Sequence, residues 1–91
     1  MKGGEMRPVI VCTKQRAVYY GYALSTKGKT IRLKKCRNII RWGTTDGLIQ
    51  LAVTGPTEKT KVSPKAKVEL RSVVTIIEVK QQAEEAWGSL P

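Results

Sequence analysis

The sequence predicts a mainly β domain, a small antiparallel barrel or sheet with one short helix near the middle and one helix at the C-terminus. Three observations carry this. Gly, Pro and polar clusters cut the chain into segments of strand length. β-Branched and aromatic residues fill those segments in two-residue alternation. Four-residue spacing of apolar positions is clear only near the end of the chain. A chain of 91 residues has room for one domain, placed at 8–88 between a flexible leader at 1–7 and a tail at 89–91. Disorder is excluded because 41% of residues are apolar and they fall in patterned runs.

The first strand is expected at Pro8 to Thr13, followed by a polar turn at Lys14-Gln15-Arg16. Val18 to Leu24 alternates as Val18, Tyr20, Tyr22 and Leu24, and Ile31 and Leu33 resume the alternation after Thr26-Lys27-Gly28-Lys29. That pattern predicts a hairpin with its turn at Lys27-Gly28, pairing Leu24 with Ile31 and Tyr22 with Leu33 on an apolar face. Ala23 then stands opposite Arg32 and Gly21 opposite Lys34, giving a basic face built over small side chains, with Tyr19 on it.

Asn38 interrupts the run, and Ile39 to Trp42 reads as a fourth strand ended by Gly43. Thr44 to Val53 is either a short helix capped by Thr45 or Asp46 and ending at Gly55-Pro56, or a strand from Leu48; the helix is preferred. Thr57 to Ser63 reads as an exposed loop closed by Pro64. Strands at Ala66 to Arg71 and Val73 to Val79 follow, with Val74 to Ile77 buried on both faces. Lys80 to Trp87 reads as a helix that presents Val79, Ala83 and Trp87, turns Glu84 and Glu85 to solvent and stops at Gly88.

Charge is distributed unevenly. The net charge is +10, and residues 1–45 hold eleven basic side chains against one acidic one, while residues 46–91 hold six of each. Such a concentration opposes folding unless counter-ions or an anionic partner are drawn in, and nucleic acid is the densest common anion. The candidate contact residues are Lys14, Arg16, Lys27, Lys29, Arg32, Lys34, Lys35, Arg37 and Arg41, with Tyr19 and Trp42 as aromatic candidates for base stacking. Tyr20 and Tyr22 are assigned to the core. A solvated, solubility-giving surface is the competing reading of the same charges.

Several chemistries have no residues to carry them. The chain has no His, which removes the commonest general base and metal ligand. Cys12 and Cys36 are too few for a zinc site and are read as reduced core thiols. Gly28-Lys29-Thr30 imitates the end of a phosphate-binding loop, but Ala23 stands where that motif needs Gly, and a strand follows where it needs a helix. No enzyme activity, metal or cofactor is expected. No run has the length of a signal or membrane segment, so a cytoplasmic chain without membrane contact is expected.

Val9-Ile10-Val11-Cys12-Thr13, Arg16-Ala17-Val18-Tyr19-Tyr20-Gly21-Tyr22, Thr30-Ile31-Arg32-Leu33 with Trp42, Leu51 to Pro56, and Ala83 with Trp87 resemble a family of small bacteriophage and prophage proteins of unassigned function. More loosely, the Val18 to Leu33 hairpin is similar to strands of SH3-like and Sm-like barrels. The resemblance implies a phage-type accessory protein of the host cytoplasm, although the family's positions at Arg32, Lys34, Lys35 and Arg41 are usually polar, acidic or aromatic. The missing catalytic residues and the charge of this chain add a non-enzymatic binding role, with DNA or RNA as the expected partner, held through phosphates with little sequence reading. The alternative is a protein-interaction module: an inhibitor or modulator of a host complex, an anti-defence factor or a virion assembly component. Homo-oligomerisation through edge strands fits both.

Overall fold

The computed structural model describes residues 6–90. Six strands, β1 (Arg7–Thr13), β2 (Val18–Ala23), β3 (Ile31–Arg41), β4 (Lys61–Val62), β5 (Ala66–Leu70) and β6 (Val73–Glu78), accompany two helices, α1 (Leu48–Val53) and α2 (Gln81–Gly88). The sheet is antiparallel in the order β4-β3-β2-β1-β6, with β5 also paired to β3. β4 lies along the C-terminal half of β3 and β5 along its N-terminal half. β5 and β6 do not pair with each other, so the sheet curls but does not close.

Both faces of this sheet are buried. On one face Ile10, Val18, Tyr20 and Ile39 pack beneath Leu51 and Ala52 of α1 and Ala83 and Trp87 of α2. Trp87 stacks on Tyr20 with ring centroids 4.1 Å apart and planes 6° from parallel. Its indole N–H donates to the Leu51 carbonyl at 3.0 Å, so one side chain ties both helices to the sheet. On the other face Val9, Val11, Ala23, Ile31, Leu33, Cys36 and Leu70 form a second cluster, with Val68, Val73 and Ile76 at its margin. Strands from both ends of the curled sheet meet in that cluster.

β3 serves both faces because its phase changes within the strand. Its ladder with β5 is irregular between Leu33 and Cys36, and Lys35 takes a left-handed φ of 51°. Such a bulge inserts one residue and exchanges the two faces. Ile31 and Leu33 therefore face the second cluster, whereas Ile39 faces the helices. Opposite the bulge stands Gly21, where a Cβ would lie 3.0 Å from Leu33 Cβ and 3.2 Å from Cys36 Cα.

Several expectations from the sequence need correction. Ile39 to Arg41 is the end of β3, not a separate strand, and Asn38 stays in the ladder opposite Tyr19. Tyr22 pairs with Lys34, and Leu33 with Ala23, one residue away from the expected hairpin register. Leu24, expected in the core, is 52% exposed beyond the end of β2. Gly21 and Ala23 are not the floor of a basic surface; both are buried, and Ala23 belongs to the second cluster.

Tyr19 packs at the margin of that same cluster, on the face opposite Tyr20. Among the described residues β6 pairs only with β1, and its Val74 and Thr75 are exposed, so it is an edge strand and not doubly buried. The expected loop at Thr57 to Ser63 contains β4. Helix α1 starts at Gly47 without a side-chain cap; the Gln50 amide oxygen accepts from the Thr45 and Asp46 backbone N–H groups instead. Gly88 is the last residue of α2 and Ser89 its cap. Of the expected leader, residues 1–5 lie outside the described residues, and Arg7 already pairs within β1.

Trp87→Phe keeps an aromatic ring against Tyr20 but leaves the buried Leu51 carbonyl without its donor. Denaturant titration should show a loss of about 1–3 kcal/mol with no change in the far-ultraviolet spectrum.

Candidate nucleic-acid interface

The bulge in β3 also gathers charge. Two residues of β3, Lys34 and Lys35, stand opposite the single Lys67 of β5, with Lys65 immediately before that strand. All four lysines are exposed. They divide between two neighbouring depressions. Lys34 and Lys67 line one with Arg32, Leu33, Val68 and Glu69. Lys35 and Lys65 line the other, a cleft of about 250 Å³ floored by Tyr20, Tyr22 and Arg37 and walled by Trp87 and Gly88 of α2.

Further along β3, Arg41 stands directly opposite Lys61 of β4. Like charges facing each other across a ladder are destabilising unless an anion lies between them. The ladder is irregular again between Ile39 and Arg41, and because Val62 packs on the helix-side cluster, Lys61 and Arg41 turn to the other face of the sheet from the four lysines.

Not every expected cation is available. Arg32 is bound to Glu69 at 2.8 Å, and Glu69 also holds Arg71 at 3.2 Å. Arg37 is only 7% exposed, and its guanidinium donates to the Ser63 carbonyl at 3.3 Å. Next to it, Asn38 and Ser63 exchange two further bonds, Asn38 N–H to Ser63 Oγ at 2.8 Å and Ser63 N–H to the Asn38 carbonyl at 2.9 Å. Arg37 therefore braces β3 against the β4–β5 connection.

Lys14 and Arg16 are exposed on the β1–β2 turn, where the Lys14 N–H donates to the Ser72 carbonyl at 2.8 Å. Lys29 and Ser72 line a common depression with Thr26 and Gly28, while Lys27 lies on the other side of the hairpin tip with Leu24 and Thr30. The structure thus brings Lys34 and Lys35 together with Lys65 and Lys67, and Arg41 together with Lys61. Lys14 and Lys29 belong to a separate region around Ser72.

Lys61, Lys65 and Lys67 were not among the sequence candidates, because the second half of the chain is electrically balanced overall. The signal was local: Lys65 just before β5 and Lys67 and Glu69 within it alternate and share one side. Glu84, expected to face solvent, is half-buried and accepts the Tyr22 hydroxyl at 2.8 Å. Trp42 is 42% exposed, and its carbonyl accepts the Thr60 hydroxyl at 2.6 Å.

The family model described as a domain of unknown function (DUF6948) matches residues 6–87. The chain belongs to the DUF6948 family. A comparison with curated proteins found no match. Residues 6–87 of this DUF6948 chain include all six strands and all of α2 except Gly88, so the candidate basic surface on β3 and β5 lies wholly within the family's domain. Among the described residues, no helix is long and apolar enough to cross a membrane.

The two thiols lie in different environments. Cys12 packs at the margin of the helix-side cluster and Cys36 within the second one, and both are free. Burial pushes Cys36 from the ordinary 9.0 up to about 11 and raises Cys12 as well. Burial, with the Tyr22 hydroxyl and the Glu84 carboxylate nearby, also pushes the Tyr20 phenol up.

For Cys36 the unfolded chain loses its proton first as pH rises. The stabilisation is complete below pH 9.0 and is lost on approach to about pH 11. Denaturant midpoints across that window should therefore fall, and Cys36→Ala, though less stable throughout, should show a shallower decline.

Proposed function

We propose that this DUF6948 protein is a non-enzymatic accessory protein of phage type, acting in the cytoplasm, whose basic cluster at the β3 bulge and β5 binds nucleic acid through its phosphates. The reading rests on one observation. At the β3 bulge Lys34, Lys35, Lys65 and Lys67 are exposed together, and the ion pairs among the described residues engage only Arg7, Arg32 and Arg71 as cations. Four unpaired ammonium groups around one bulge repel one another, and a phosphate backbone relieves that repulsion while releasing its own counter-ions. Phosphate contact fixes position and carries no base information, so weak sequence preference follows.

Four phosphate contacts by these lysines give a slope of about −3.6 in log K against log salt concentration. Binding to a mixed-sequence duplex should weaken by about 10² between roughly 50 and 200 mM salt. The variant carrying Lys34→Gln, Lys35→Gln, Lys65→Gln and Lys67→Gln should flatten the slope by about 0.9 for each contact removed. Binding that ignores salt, or absence of binding at the lowest salt, overturns the reading.

A second reading, contact with a host protein or a second copy, is favoured by the outer edge of β6, which has no strand partner among the described residues and exposes Val74 to 62%. Extended segments add to such edges by backbone pairing. A protein partner captured from host lysate after nuclease treatment, and lost on Val74→Lys, which puts a charge on that exposed edge, would favour this reading over the first.

A further inference from the structure

We infer that the β3–β4 end of the sheet, at Trp42 beside Arg41 and Lys61, is a stacking platform for an unpaired base, so that the protein prefers single-stranded nucleic acid to duplex. This rests on the proposed nucleic-acid reading and adds to it which form of nucleic acid is held, and by which residue.

Three features meet at this end. Trp42 follows Arg41 directly and is 42% exposed, with Ile40 beside it in the chain at 63%. The other tryptophan, Trp87, is 3% exposed and committed to Tyr20 and Leu51. Tyr19, the other aromatic candidate, is half-buried against the second cluster. Trp42 is therefore the indole with a surface to offer.

The backbone that carries Trp42 is fixed. The Thr60 hydroxyl donates to the Trp42 carbonyl and the Thr57 hydroxyl to the Gly43 carbonyl, both at 2.6 Å. Gly43, at a φ of +67°, passes so close to the backbone of Lys59 and Thr60 that a Cβ there would collide with both. An aromatic side chain on an ordered ribbon loses little freedom on binding. Arg41 and Lys61, directly opposed one residue away, supply the positive charge that a phosphate next to the stacked base requires.

Inside a duplex both faces of each base are occupied by its neighbours, so Trp42 has nothing to stack on. A single strand offers a free face at every nucleotide. Stacking on an aromatic side chain strengthens binding by about 5- to 150-fold per base, largely independent of sequence. The Lys34–Lys67 group contacts phosphates of either form, so the discrimination lies at Trp42.

The full chain is titrated with oligothymidylate and with a mixed-sequence duplex of the same length, following tryptophan emission and the anisotropy of labelled nucleic acid. The single strand should bind about 5- to 150-fold more tightly and quench the emission, because Trp42 is exposed and Trp87 is not. Trp42→Leu should abolish the quenching and the single-strand advantage while leaving duplex affinity and the salt slope unchanged; Trp42→Phe should retain part of both. Equal affinity for the two forms without quenching overturns this inference and leaves the phosphate-binding reading standing. Absence of binding to either form overturns both. Emission that changes with protein concentration alone, with no response to oligonucleotide, assigns the Ile40–Trp42 surface to contact between copies and likewise overturns the inference.

Discussion

The structure depends on the phase change at Lys35. An 11-residue strand with strict alternation would send every second side chain to one core and leave the other face polar. By inserting a residue at the bulge, β3 feeds Ile31 and Leu33 into one hydrophobic cluster and Ile39 into the other. The same bend turns the strand far enough for two short strands, β4 and β5, to share its outer edge. Gly21 is the counterpart on β2, since only a residue without a side chain leaves β3 room to pass. A domain this small has little core to lose, and division into two clusters makes each depend on this one crossing.

Charge gathers at the bulge for a geometric reason. Two consecutive lysines on a regular strand point to opposite faces, and one of them would be buried. At a bulge both Lys34 and Lys35 stay exposed, facing Lys67 across the ladder. A conformation with positive φ is costly for lysine, and here it lets the strand keep cations side by side without placing one in the core. Arg37, which regains the regular pattern, is buried and takes a structural part at Ser63.

Much of the fold was legible because it follows from local periodicity. The alternation of Val18, Tyr20 and Tyr22, the spacing of Ala83 and Trp87, and the Gly55-Pro56 stop after α1 each report their own element. The register of β2 against β3 was not legible: it depends on an irregularity between Tyr20 and Tyr22 that no composition marks. Once the register slipped, the small residues Gly21 and Ala23 changed meaning, from room left for a ligand to room taken by β3. The candidate interface was half visible for a related reason. Lys34, Lys35 and Arg41 lie in a basic run, whereas Lys61, Lys65 and Lys67 come from a neutral half of the chain and join them only by pairing with β3.

The unpartnered rim of β6 and the excess of positive charge also act on one another. A β-branched edge with little charge of its own is a template for pairing between molecules, and nothing on it blocks that. Mutual repulsion between molecules of charge +10 provides the missing guard, but it reaches only as far as ions in the medium allow, about 8–10 Å at ordinary ionic strength. Colloidal behaviour is thereby coupled to the ionic medium: concentrated electrolyte, by shortening that reach, leaves the bare rim as the strongest attraction between copies.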